Sequence, residues 1–145
     1  MNRLPDWEAK LSEFIIANRD RPFAWGSWDC ILMACAAVEA MTGEDPAAEY
    51  RGRYDDATGA AQALRDLGEG TLLRTVDSVF ERRPAGMARR GDLVWFEQSV
   101  GLCIGGEGLF VGEERVATSA DVPMRAGLIS VPRSLFLKAW TVGDG

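Results

Sequence analysis

The chain contains no histidine. That absence excludes any Ser-His or Cys-His nucleophile pair and any imidazole acid or base supplied by the chain itself. A mixed Cys/His zinc site is excluded for the same reason, and no metal or cofactor is expected. Cysteine is scarce: Cys30, Cys35 and Cys103 are odd in number and show no CxxC spacing. Reduced thiols in an intracellularly assembled protein are the expectation. Basic residues are in deficit, 16 against 22 acidic, for a net charge of −6. Such a chain is a poor partner for a nucleic-acid backbone. Met1 to Lys10 hold no apolar run, so no secretion signal is expected. No stretch approaches the roughly 18 apolar residues of a membrane span. What is present is ordinary for a soluble globular protein: 145 residues, 47% apolar and 26% charged. One domain over 1–145 is expected, with a helical half over about 1–81 and a sheet half over about 91–142.

Helical periodicity dominates the first half. Asp6 is placed to cap a helix from Trp7, on which Leu11, Phe14 and Ile15 make an apolar stripe and Asp6 and Lys10 can pair. Pro22 ends any continuation. From Asp29 to Met41 only Asp29 and Glu39 are charged, which predicts a buried helix stopped at Thr42-Gly43. Glu44 to Asp56 reads as an ordered, tyrosine-bearing loop. Tyr50 and Tyr54, flanked by Arg51 and Arg53, suit either a protein interface or a loop folded back on its own domain. A third helix is predicted over Ala57 to Leu67, and Thr71 is placed to cap a fourth carrying Leu72, Val76, Val79 and Phe80 on one face.

Arg82 to Arg90 hold Pro84, Gly86 and four arginines. They read as a solvated linker between the halves or as a basic contact patch. Beyond Gly91 the period becomes two. Asp92 to Phe96 is a strand candidate, and Val100, Leu102 and Ile104 alternate with Ser99, Gly101 and Cys103. Short strands are predicted at Gly108 to Val111, Glu114 to Ala117, Gly127 to Val131 and Lys138 to Val142. Helices followed by a strand meander predict an α+β fold with an antiparallel sheet.

Cys30 falls in the first turn of the buried helix, after Trp25-Gly26-Ser27-Trp28-Asp29. Helix N–H groups and dipole favour a thiolate there, and two tryptophans are placed to wall a cleft. The competing reading is one more small apolar residue in a buried helix. Cys35 lies about 140° around the helix and is expected in the core. Cys103 suits core or cleft.

The order Trp25-Gly26, Asp29-Cys30, Gly91-Asp92-Leu93-Val94 and Ser99-Val100-Gly101-Leu102 resembles the NlpC-type cell-wall peptidases, bacterial papain-like cysteine hydrolases. The resemblance covers about Trp25 to Ala117. It implies a papain-like fold with N-terminal helices on a C-terminal antiparallel sheet, and Cys30 at the nucleophile position. Pro22-Phe23-Ala24-Trp25-Gly26, Thr42-Gly43-Glu44-Asp45-Pro46, Arg51-Gly52-Arg53-Tyr54 and Ala139-Trp140 are also similar to a subgroup of phage and prophage proteins encoded near tail genes. That implies tail or baseplate proteins as partners, with the bacterial cytoplasm during assembly and then the virion tail as location.

The chain departs from the peptidase pattern where the histidine belongs, which is Ser99. A serine hydroxyl cannot deprotonate a thiol near pH 7. The third polar position falls near Ala117-Thr118 and has no histidine to orient. Glu97 and Asp92 are the nearest carboxylates to serve as a substitute base. Three functions follow as expectations. The first is a non-catalytic tail or baseplate component on a hydrolase plan. The second is a Cys30 peptidase or amidase acting on peptidoglycan with a carboxylate or partner-supplied base. The third is a glycan- or peptide-binding module with Trp25, Trp28, Asp29 and Ser99 in its cleft.

Overall fold

The fold is given by a computed structural model and described for residues 1–115 and 124–143. Four helices come first: α1 Trp7–Asn18, α2 Cys30–Thr42, α3 Ala57–Leu67 and α4 Leu72–Val79. Six strands follow: β1 Arg82–Arg83, β2 Leu93–Phe96, β3 Ser99–Cys103, β4 Glu107–Arg115, β5 Met124–Pro132 and β6 Lys138–Trp140. They form one antiparallel sheet in the order β1-β6-β2-β3-β4-β5. The fold class is therefore α+β.

Local capping chemistry sets most helix bounds. Asp29 caps α2 by accepting from the Leu32 N–H, and Gly43 closes the helix in the left-handed conformation. Asp56 and Thr71 cap α3 and α4. Asp6 makes no cap bond; its carboxylate pairs with Lys10 at 3.8 Å instead. The end of α1 docks on the sheet edge, where Leu128 of β5 donates to the Arg19 carbonyl.

The alternation in the strands divides the interior into two layers. Leu93, Trp95, Val100 and Leu102 join Leu11, Met33, Val38 and Val76 in the main core between helices and sheet. Val94, Cys103, Phe110 and Ala139 lie on the other face under Phe136 and Ala88. Cys103 is thus core, and fully buried. Burying a large apolar side chain stabilises by about 1.5–3 kcal/mol, so the main core carries most of the fold's stability.

Two further expectations need correction. The two strands foreseen at Gly108 to Val111 and from Glu114 are one strand, β4, because β5 pairs with it continuously from Glu107 to Arg115. Ala117 and Thr118 lie outside the described residues. The Arg82 to Arg90 connector is largely exposed, but it is no free basic patch. Arg82 and Arg83 form β1 against Trp140 and Ala139, so the sheet begins before Gly91. Arg82 also pairs with Asp77, Arg83 pairs with Asp92, and Arg90 donates to the Ile104 carbonyl.

Candidate functional site

The site is built on the turn before α2. Ala24 and Trp28 form an isolated antiparallel bridge. Between them Gly26 adopts φ +79, and a Cβ there would run into the Tyr54 carbonyl oxygen. Only glycine fits, which gives the Trp-Gly element a local physical cause. Asp29 closes the turn. Its carboxylate accepts from the N–H of Leu32 at 3.1 Å, the N–H of Gly26 at 3.2 Å and the hydroxyl of Tyr54 at 2.5 Å. Burial and that bond to Asp29 raise the Tyr54 pKa, so the phenol stays protonated.

The Tyr54 bond pins residues 44–56 against α2. Arg51 strengthens the attachment, donating to Asp45 at 2.6 Å and to the Leu32 carbonyl at 3.1 Å, and Gly52 N–H donates to the Gly26 carbonyl. Of the two readings of this loop, the folded-back one describes it. Tyr50 and Tyr54 are half-buried rather than an exposed interface pair.

A cavity of about 480 Å³ lies among the start of α2, this loop, α3, α4 and the β2–β3 turn. Its volume is in the range of ligand pockets, roughly 300–1,000 Å³. Trp25, Asp29, Cys30 and Ser99 all border it. Trp25 is 41% exposed and meets Phe23 edge-on at 4.8 Å. Trp28 is the exception among the expected cleft residues. It is 2% exposed in the main core, against Phe14 and beneath the Arg21 guanidinium at 4.2 Å. The bridge to Ala24 turns the two tryptophans to different sides, and the core takes the one beside α1. Cys35, expected to point elsewhere, is buried with Leu32 and Ala47 but also borders the cavity, which wraps around the α2 N-terminal turns.

Sequence reasoning missed the β2–β3 turn and the α3–α4 wall. Phe96 pairs with Ser99, so Glu97 and Gln98 form a two-residue hairpin loop. Both have positive φ, +47 and +61, where glycine or asparagine is usual. Backbone strain of this kind costs on the order of 1–3 kcal/mol and clusters at functional sites. It sets Gln98 and Ser99 in the cavity wall. Among the described residues neither the Gln98 amide nor the Ser99 hydroxyl has a hydrogen-bond partner. Strand pattern on both sides of a two-residue gap was the signal available for this turn.

Electrostatics decide what Cys30 can do. Burial pushes its thiol up to about 11, and the neighbouring Asp29 charge adds to the shift. Backbone N–H groups of Val100, Ile31 and Cys30 itself act in the opposite sense and are outweighed. The thiol is therefore the protonated form at pH 7. Neither substitute base borders the cavity. Glu97 is exposed at the turn, and Asp92 is buried against Arg3 at 3.2 Å and Arg83 at 2.8 Å. Among the described residues no group of three His, Cys, Asp or Glu is placed to hold a metal ion. No described helix is long and apolar enough to cross a membrane.

Fold and site together define an α+β protein with a protonated cysteine at the head of a buried helix, facing an apolar cavity. Over residues 2–142 the chain matches the family described as Domain of unknown function (DUF6950), and it belongs to that family. No curated protein matches the chain.

Proposed function

We propose that this chain is a non-catalytic assembly component of a phage or phage-like tail, built on a papain-like, NlpC-type plan. One observation carries the non-catalytic half of this reading. Cys30 and Ser99 border one cavity, the thiol is held protonated, and neither Glu97 nor Asp92 reaches it. Loss of general acid–base help alone costs about 10²–10⁴-fold in rate. The tail context rests on the motif resemblance at Pro22 to Gly26, Arg51 to Tyr54 and Ala139-Trp140. Its partners are then other tail or baseplate proteins, met first in the host cytoplasm and then in the particle.

Incubation with peptidoglycan fragments tests the first half. Intact fragments are expected; cleavage that disappears in Cys30→Ser would overturn it. Mass spectrometry of purified particles tests the second. The chain is expected in the tail fraction, and its absence from particles of a strain that expresses it would refute the assignment.

The cavity itself favours a second reading, a module that holds a peptide or glycan, including peptidoglycan, without cutting it. Trp25 and Ser99 shape the wall; Trp28 has no part in it.

A further inference from the structure

The cavity wall carries more information than its volume. Its apolar part comes from α2, α3 and α4, through residues such as Ile31, Leu64, Leu72 and Phe80. Its polar part contains the unpartnered Gln98 amide and Ser99 hydroxyl, one an acceptor and double donor, the other a donor and acceptor. Such groups match the N–H and C=O of a peptide. Every charged residue of the wall is acidic: Asp29, Glu49 and Glu69, with no lysine or arginine. Asp29 is occupied by its three donors, whereas Glu49 and Glu69 are exposed and make no ion pair among the described residues.

From this wall we infer that the cavity receives an apolar segment of a partner protein flanked by basic residues. This rests on the non-catalytic reading of the same cavity and names its occupant. The apolar side chains of the segment leave water for the space among α2, α3 and α4. Trp25, edge-on to Phe23, covers them from outside. Gln98 and Ser99 bond the peptide backbone, and the flanking cations meet Glu49 and Glu69. An acid-flanked segment of the same apolarity is rejected, because every charge on the wall is of its own sign.

The probes are two capped pentapeptides, acetyl-KLFLK-amide and acetyl-ELFLE-amide, titrated into the full chain and followed by calorimetry and tryptophan fluorescence. The basic peptide is expected to bind one to one, at least about tenfold tighter than the acidic one, and more weakly as salt rises. Trp25→Ala, a change at an exposed side chain, is expected to weaken binding by about tenfold. The double variant Glu49→Gln, Glu69→Gln keeps the apolar wall and is expected to abolish the preference between the peptides. No response to either peptide at millimolar concentration, or equal binding of both, overturns the inference. Mass spectrometry of the same mixtures separates this from the reading beneath it. Unbound, intact peptide refutes only the occupant. Peptide cut by the native chain and left whole by Cys30→Ser refutes the non-catalytic reading.

Discussion

Asp29 and Asp92 are both buried, 2% and 1% exposed, and each stands one residue before the element it anchors. Their surroundings differ. Asp92 is met by two guanidinium groups, Arg3 and Arg83, and by the Arg89 N–H. Arg3 also donates to the carbonyls of Val142 and Arg90, so this joint ties the first residues to the last strand region and to the start of β2. Asp29 is met by neutral donors alone, and the space beside it is open and apolar. The ion pairs of the buried interior hold the chain together; the site is left with dipoles, an Asp29 charge that meets no cation and a thiol that this charge helps keep neutral. A nucleophile needs the reverse arrangement.

The comparison is broken most severely at the joint. Asp92→Ala leaves Arg3 and Arg83 facing each other without their counterion, and it is expected to destabilise by about 3–5 kcal/mol. Burial already lowers the Arg3 pKa, and the Asp92 charge is what opposes this. A shift of the urea midpoint equivalent to under 1 kcal/mol would show that the joint is not structural.

Asp29→Ala removes a helix cap and the Tyr54 anchor. An expected loss of about 3 kcal/mol follows from a cap at about 1 kcal/mol plus a charge-assisted hydrogen bond at about 2 kcal/mol. Quenching by acrylamide reads the accompanying release of the loop, since Trp25 borders the same cavity. Unchanged stability would mean that water takes the place of the carboxylate at all three donors.

Gln98→Gly acts in the opposite sense. Relief of the positive φ at the β2–β3 turn is expected to stabilise by about 1 kcal/mol, seen as a higher Tm. A lower Tm would show that the Gln98 side chain stabilises the turn more than its backbone strains it.

The alkaline limb of the stability curve carries an effect that is absent at pH 7. The Cys30 thiol ionises near 9.0 when free and near 11 in the fold. Between those values the unfolded chain binds fewer protons, so stability is level below about pH 9 and falls as pH rises toward 11. Cys30→Ser is expected to soften that fall without changing stability at pH 7; an identical curve for the variant would place the titration elsewhere.

Features governed by neighbours in sequence were legible. The Thr71 cap, the Gly43 stop and the bounds of α3 need only a few residues each, although the cap read at Asp6 does not form. The strands of β2 and β3 followed from alternation. Features set by distant pairing were not. β1 is two residues long and exists because Trp140 and Ala139 lie beside it. β4 reads as broken at Gly112 until β5 is known to pair across it. In the site, Cys30, Asp29, Trp25 and Ser99 border one cavity. Trp28 does not, because its direction is set by the bridge to Ala24 and the glycine turn between them. Gln98 was missed because its hairpin lacks the Asn-Gly signal that usually marks such a turn.

The rate of Cys30 alkylation against pH tests the central claim most directly, with Cys35→Ser and Cys103→Ser in place so that one thiol reports. A protonated, half-buried thiol predicts slow reaction at pH 7 and a rate still climbing past pH 9 toward an apparent pKa of about 11. A fast reaction at neutral pH, with an apparent pKa well below that of the free thiol, would contradict it and restore a working thiolate.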